Sequence, residues 1–254
     1  MWRRGSAAWR SEQFVKVTAG QRVVVVVAHP DDESFPCGSL IARSVAAGAH
    51  VTVLCATRGE QGERVPDAAT DHLPLAEVRE AELHAAAALL GVASVELLDF
   101  ADSGFDGPVA DGSLCAQSID SLSALLVARL KHLDAEHVVT FDGSDGHRDH
   151  LHLRAAIEAA VRTSTAALTM ASLPNSLMRR WVSEMQVMQP DTVYLDIDLD
   201  ALGAPDDELT AIDAAEFFEL RLRAIATHRS QRSPYDGLSP DLQRAFLAVD
   251  HVRV

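Results

Sequence analysis

Cysteine is scarce in this chain and placed without pattern. Cys37, Cys55 and Cys115 are odd in number, scattered, and show no C-x-x-C spacing. That argues against a disulfide framework or a cysteine zinc knuckle and fits a reducing cytoplasm. Lysine is almost missing, with Lys16 and Lys131 the sole examples. Acidic residues outnumber basic ones 37 to 22, giving a formal net charge of −15. Such a chain repels polyanions, so neither nucleic acid nor an anionic membrane surface is an expected partner. No stretch approaches the roughly 20 consecutive apolar residues of a membrane helix. Arg3, Arg4 and Arg10 are followed by no apolar segment, so a secretory signal is not expected either. There is no G-x-G-x-x-G after the first predicted strand and no P-loop, which leaves nucleotide binding without support.

What remains is ample for a globular enzyme. Hydrophobic residues make up 48% of 254 positions, enough to bury a sizeable core. Apolar β-branched runs alternate with Ala/Leu-rich helical stretches, the pattern of βαβ units. Strands are predicted at Arg22 to Ala28, His50 to Ala56, Val95 to Phe100, His137 to Phe141 and Thr192 to Leu199. Helices are predicted at Leu40 to Ala47, Leu75 to Leu90 (stopped by Gly91), Ile119 to Leu133 and Asp149 to Val161. Two more are predicted at Ala214 to His228 and Pro240 to Val249, whereas residues 163–190 read only as a lid or edge insertion. The expected fold is α/β: one domain, a Rossmann-like, open, mostly parallel sheet with helices on both faces. The long Gly/Asp/Pro/Ser-rich loops 59–74 and 101–117 follow strands and are expected to meet substrate.

Two clusters carry chemistry. His29-Pro30-Asp31-Asp32-Glu33 ends the first strand, and His147-Arg148-Asp149-His150 follows the fourth. If the strand order reverses between those strands, both clusters meet in the crevice where open α/β sheets bind ligands. Imidazole nitrogens with carboxylate oxygens, and no thiolate, suit zinc or another borderline first-row ion. Three protein ligands leave a position for water, and the surplus acidic and imidazole groups offer a base and an oxyanion stabiliser. Two alternatives stand beside this reading. Asp31 and Asp32 would cap the following helix, or they would form the acidic site of a phosphoacceptor domain. The second also needs a lysine after a fifth strand, and neither Lys16 nor Lys131 is placed for it.

The first cluster resembles the signature of the LmbE-like, or PIG-L, deacetylase family, and the second resembles that family's other motif. Thr57 to Glu63, Arg79 to Glu82, Asp102-Ser103-Gly104 and His228 to Gln231 agree in order and spacing. Asp102-Ser103-Gly104 is similar to actinobacterial members acting on mycothiol precursors or conjugates. The resemblance implies residues 1–20 as an N-terminal extension and 21–254 as the deacetylase domain. It implies His29, Asp32 and His150 as ligands of Zn²⁺, with Fe²⁺ accepted by the same donors. It implies Asp31 as general base, His147 as oxyanion stabiliser in the imidazolium form, and Asp149 as the residue orienting His147. Arg79, Asp102 and Glu60 would contact sugar hydroxyls. His228 is left as an unassigned contributor, and Arg148, where the family commonly has proline, is expected to face solvent.

The function implied is metal-dependent removal of the N-acetyl group from an N-acetylglucosamine-type conjugate, a small molecule, by a cytoplasmic protein that is open to homo-oligomerisation. The alternatives are an amidase cleaving a larger mycothiol-type conjugate, an antibiotic-tailoring deacetylase, and a non-catalytic sugar-binding relative.

Overall fold

The computed structural model describes residues 17–67, 69–188, 190 and 202–254. Its centre is β1 (Arg22–Val27), five consecutive valines preceded by one arginine. Successive side chains on a strand point to opposite faces. Val23, Val25 and Val27 therefore enter one core, and Val24, Val26 and Ala28 the other. Burying each valine contributes about 1.5–3 kcal/mol, which is why this strand takes the middle of the sheet.

The elements that follow are α1 (Gly38–Ala46), β2 (His50–Cys55), α2 (Leu75–Leu90), β3 (Ser94–Leu97), α3 (Ile119–His132), β4 (His137–Phe141) and α4 (Arg148–Val161). Then come β5 (Ala167–Ala171), α5 (Asn175–Met188), β6 (Thr210–Asp213), α6 (Phe218–Ile225), α7 (Pro240–Leu247) and β7 (Val249–Arg253). The seven strands lie in the order β3-β2-β1-β4-β5-β7-β6. β1 pairs in parallel with both β2 and β4, so the order reverses between β1 and β4 and the condition for the two clusters to meet holds. β5 continues in parallel, while β7 runs antiparallel to β5 and β6.

Helices cover both faces. Leu40 and Ile41 of α1, Leu83 and Leu90 of α2 and Ala224 of α6 pack on one. Leu122 and Leu126 of α3 and Leu153 and Ile157 of α4 pack on the other. Gly91 ends α2 at φ +81°, the left-handed turn that glycine adopts without strain. A third cluster joins α5 and α7 through Leu177, Trp181, Leu242 and Phe246.

The second half departs from the expected layout. Residues 163–190 are no lid: they supply β5, an interior strand beside β4, and the amphipathic α5. The expected helix from Ala214 to His228 is a 3-10 turn at Ala215–Phe217 followed by the shorter α6. The expected helix from Pro240 stops at Leu247, because Val249 starts β7. The strand expected at Thr192 to Leu199 lies outside the described residues, as do residues 1–16 of the N-terminal extension; Val17 already packs in the core. No described helix is long and apolar enough to cross a membrane.

Candidate active site

The chain leaving β1 and the chain leaving β4 carry the two motifs to the same crevice. Asp32 builds the first turn: its Oδ2 accepts the N–H groups of Ala28 at 3.1 Å and His29 at 2.9 Å. Neither Asp31 nor Asp32 caps α1, whose N-cap is Cys37 without a side-chain hydrogen bond. The capping alternative is thereby excluded.

Three donor atoms converge beyond the strand ends. Nδ1 of His29 lies 3.2 Å from Nε2 of His150, which lies 3.2 Å from Oδ2 of Asp32. The third edge, His29 Nδ1 to Asp32 Oδ2, is 3.7 Å. Ligands at 2.0–2.2 Å around a tetrahedral ion stand about 3.3–3.6 Å apart, so the triad fits a cation of that size. All three residues are buried. The far nitrogens are also provided for. Asp149 Oδ2 lies 3.2 Å from Nε2 of His29, and Asp145 Oδ2 lies 2.9 Å from Nδ1 of His150. Carboxylates so placed fix the tautomers and turn the opposite lone pairs toward a metal.

The electrostatics agree. Burial alone would lower the imidazole pKa values, but the surrounding carboxylates win. His29 is pushed up to about 9 by Asp102, Asp149 and Asp32. His150 is raised well above its ordinary value by Asp145 and Asp32. Burial would raise Asp32, yet His150 and His29 hold it well below the usual carboxylate range. The pocket is built to keep positive charge among carboxylates, the condition a divalent cation meets.

Asp31 stands beside the triad with φ +118°, a conformation costing an aspartate on the order of 1–3 kcal/mol. Its Oδ2 accepts from Nη2 of Arg79 at 3.0 Å. Burial pushes its carboxyl up to about 6, with Arg79 opposing and Asp32 adding to the rise. His147 is the N-cap of α4, and its Nδ1 accepts the N–H of Asp149 at 3.2 Å. A neutral ring accepting at Nδ1 carries its proton on Nε2. Burial, then the charges of His29 and His150, lower His147 to about 4. This hydrogen bond and this shift favour a neutral ring with Nε2 as donor over the expected imidazolium. The Asp149 carboxylate lies against His29, its backbone N–H lies against Nδ1 of His147, and its charge also acts on the His147 ring.

The three expected sugar contacts lie at the site but are engaged by the protein. Arg79 is buried and donates to the carbonyls of Gly59 at 2.6 Å and Pro30 at 2.5 Å as well as to Asp31. A Cβ at Gly59, where φ is +64°, would collide with that guanidinium. Glu60 Oε1 accepts the N–H of Asp102 at 3.0 Å, and Asp102 accepts those of Gln61 and Gly104. Asp102 lies nearest the triad of the three, its Oδ1 3.5 Å from Nε2 of His29. Arg148 does not face solvent as expected. It donates to the carbonyls of Ser103, Gly104, Asp106 and Gly107.

Two groups escaped sequence reasoning. Asp145 holds His150, and its sole sequence signal is an acidic residue five positions before that histidine. Glu33 binds His228 at 2.7 Å, both side chains fully buried. The remaining motifs meet each other: Ser230 donates its N–H and hydroxyl to Glu82, at 2.8 and 2.6 Å. Among the described residues no cysteine joins the donor cluster, though Cys115 Sγ donates to Asp149 Oδ1 at 3.0 Å.

Known proteins resemble this chain in sequence and in fold. The family model described as PIG-L, GlcNAc-PI de-N-acetylase, matches residues 24–161, more than half the chain and both motifs. A 1D-myo-inositol 2-acetamido-2-deoxy-alpha-D-glucopyranoside deacetylase of Thermobispora bispora is 31% identical over 91% of this chain and 87% of its own length. The protein of that name from Mycolicibacterium vanbaalenii is 34% identical over 91% and 86%. Among solved structures, a deacetylase of the teicoplanin biosynthesis pathway superposes with a TM-score of 0.62 at 19% identity, covering 91% of this chain and 96% of that one. N,N'-diacetylchitobiose deacetylase from Pyrococcus horikoshii gives 0.59 at 21% identity over 92% and 83%, again a likeness of fold. Along nearly its whole length the chain follows one lineage, and it belongs to the PIG-L family: an enzyme, a hydrolase of the N-deacetylase type.

Proposed function

We propose that this protein is a zinc-dependent deacetylase that removes the acetyl group from an N-acetylglucosaminyl inositol or a close conjugate. The observation that carries the reading is the triangle of His29 Nδ1, His150 Nε2 and Asp32 Oδ2, with the Asp31 carboxylate beside it. The substrate class rests on the sequence relatives, which are named for an acetamido-sugar of inositol.

His29, Asp32 and His150 would hold the metal. When bound, zinc supplies Lewis-acid chemistry, polarising an amide carbonyl and bringing water deprotonation within reach of neutral pH. Asp31 accepts the proton of the attacking water. A carboxyl raised to about 6 is well matched to that task near neutrality. His147 donates from Nε2 to the carbonyl oxygen as negative charge develops there. Asp31 then returns its proton to the amide nitrogen as the C–N bond breaks, and acetate and a free amine leave. Asp149 and Asp145 keep the two ligand imidazoles in register throughout.

The test is amine release from a panel running from free N-acetylglucosamine through its inositol conjugate to bulky acylated glycosides. Release from the inositol conjugate, abolished by a chelator and restored by zinc better than by ferrous iron, is the expected result. Release confined to bulky glycosides would move the substrate toward antibiotic tailoring. Asp31→Asn should keep zinc and lose about 10²–10⁴ in rate, the worth of a positioned base.

A further inference from the structure

Aspartate does not rest by itself in the backbone conformation that Asp31 adopts. Of the described non-glycine residues at positive φ, Asp99 and Asp134 sit at +60° and +47°, the left-handed helical region that aspartate tolerates. Asp31, at +118°, lies beyond it. Such a conformation persists where its surroundings over-determine it. The carbonyl of Asp31 accepts the N–H groups of Ser34 at 2.9 Å and Phe35 at 2.8 Å. Its own N–H donates to Oε2 of Glu33 at 2.9 Å. Arg79 grips the preceding carbonyl and the side chain.

Glu33 is the member of this set that needs outside help. Its carboxylate is fully buried, and a buried charge is tolerated only when paired. Oε1 takes the Ser34 hydroxyl at 2.5 Å and Nε2 of His228 at 2.7 Å. His228 arrives from 195 residues away, just after α6, and is itself fully buried. Its backbone N–H is tied to the carbonyl of Ile225 at 3.1 Å, and its ring packs edge-on against Phe35. Two residues on, Ser230 is anchored to Glu82 of α2. The His228 ring is thus fixed from the C-terminal half of the chain and makes no hydrogen bond to His29, Asp32 or His150.

We propose that His228 is a positioning residue for the reaction: through Glu33 it sets the backbone of Asp31 and so the aim of the base. This rests on the assignment of Asp31 as the base made above. A buried ion pair that merely stabilised the fold would not single out kcat, nor would its effect depend on Asp31.

The experiment measures kcat and KM for amine release from the N-acetylglucosaminyl inositol by full-length, zinc-loaded protein. His228→Ala should lose about 10²-fold in kcat, the scale of a misplacement near 1 Å, with KM and zinc content unchanged. His228→Gln, whose amide nitrogen reaches the place of Nε2, should restore most of that loss. His228→Asn, polar but too short to reach Glu33, should not. In the Asp31→Asn background His228→Ala should have no further effect, because no base remains to be aimed. A folded, zinc-loaded His228→Ala protein with normal kcat overturns the proposal, as does multiplication of the two losses in the double variant. If the alanine variant fails to fold, equal activity of the Asn and Gln variants overturns it instead. Full activity of Asp31→Asn alone would overturn the base assignment itself, a result read without any change at His228.

Discussion

Asp149 Oδ2 stands 3.2 Å from Nε2 of His29, and the same oxygen accepts the N–H of Ser103 at 3.0 Å. With its other oxygen on Cys115, the carboxylate is fixed on three sides. It holds the His29 ring with Nδ1 turned to Asp32 and His150. Asp149→Ala is therefore expected to weaken zinc affinity about 10–100-fold, the usual cost of removing a ligand's hydrogen-bond partner. Competition against a chelator of known affinity reads this directly. Unchanged affinity with a loss confined to kcat would return Asp149 to the service of His147.

The same carboxylates make metal binding a competition with protons. His29 is raised to about 9 by Asp102, Asp149 and Asp32 against the effect of burial, and His150 is raised by Asp145 and Asp32. Both rings must give up a proton to become ligands. Protons oppose the metal while either ring is charged, so affinity should rise with pH through the neutral range and level off once both rings are neutral. Through the neutral range the logarithm of the affinity should climb with pH, because the metal displaces protons that the carboxylates hold on these rings. Metal titration at several pH values, with proton release followed in weak buffer, checks the slope. A flat profile would mean that neither ring is a ligand.

His147 offers a different contrast. Its ring nitrogen comes within 4.8 Å of those of His29 and His150, so proximity alone would admit it as a ligand. Its Nδ1, however, caps α4, and burial beside His29 and His150 lowers its pKa to about 4. A neutral Nε2–H donor across the working pH range is the result. His147→Ala should keep zinc and lose about 10²–10³ in kcat, as an oxyanion donor does. Loss of zinc along with activity would make it a ligand instead.

The first half of the fold was legible because its signals are local. Five valines in β1, and the run from Leu75 to Gly91 with its glycine stop, need no partner to be recognised. β6 and β7 are different. Thr210–Asp213 and Val249–Arg253 are short and polar-interrupted, and they become strands through antiparallel pairing with each other and with β5. β7 even begins two residues after α7, where the sequence reads as one continuing helix. At the site, residue types marked the chemistry but not its division of labour. Nothing in the order Arg79, Glu60, Asp102 says that their polar atoms are engaged by the loops of Gly59, Asp102 and Gly104. That allocation is decided by burial, which one sequence does not display.

Arg148 shows the same limit and invites the last test. It occupies the first position of α4, where proline is well tolerated because the N–H there has no helical partner. Its guanidinium instead reaches Gly104 at 2.7 Å, Asp106 at 2.7 Å, Gly107 at 2.9 Å and the carbonyl of Ser103. The loop it binds begins beside Asp102 and carries Phe105, whose ring lies edge-on to His147 at 5.5 Å. Arg148→Pro therefore removes the clamp while leaving the helix start intact. Each hydrogen bond is worth about 1 kcal/mol net, and water replaces part of that at a half-exposed site. A total loss of roughly 1–3 kcal/mol follows, concentrated in the loop. Hydrogen exchange should rise at residues 103–107, and KM should rise more than kcat falls, with zinc content unchanged. Arg148→Lys should behave nearly as badly, since an ammonium cannot fork to four carbonyls. Unaltered exchange and KM in the proline variant would show that the loop holds itself, and that the arginine in place of the family's usual proline carries no consequence for substrate binding.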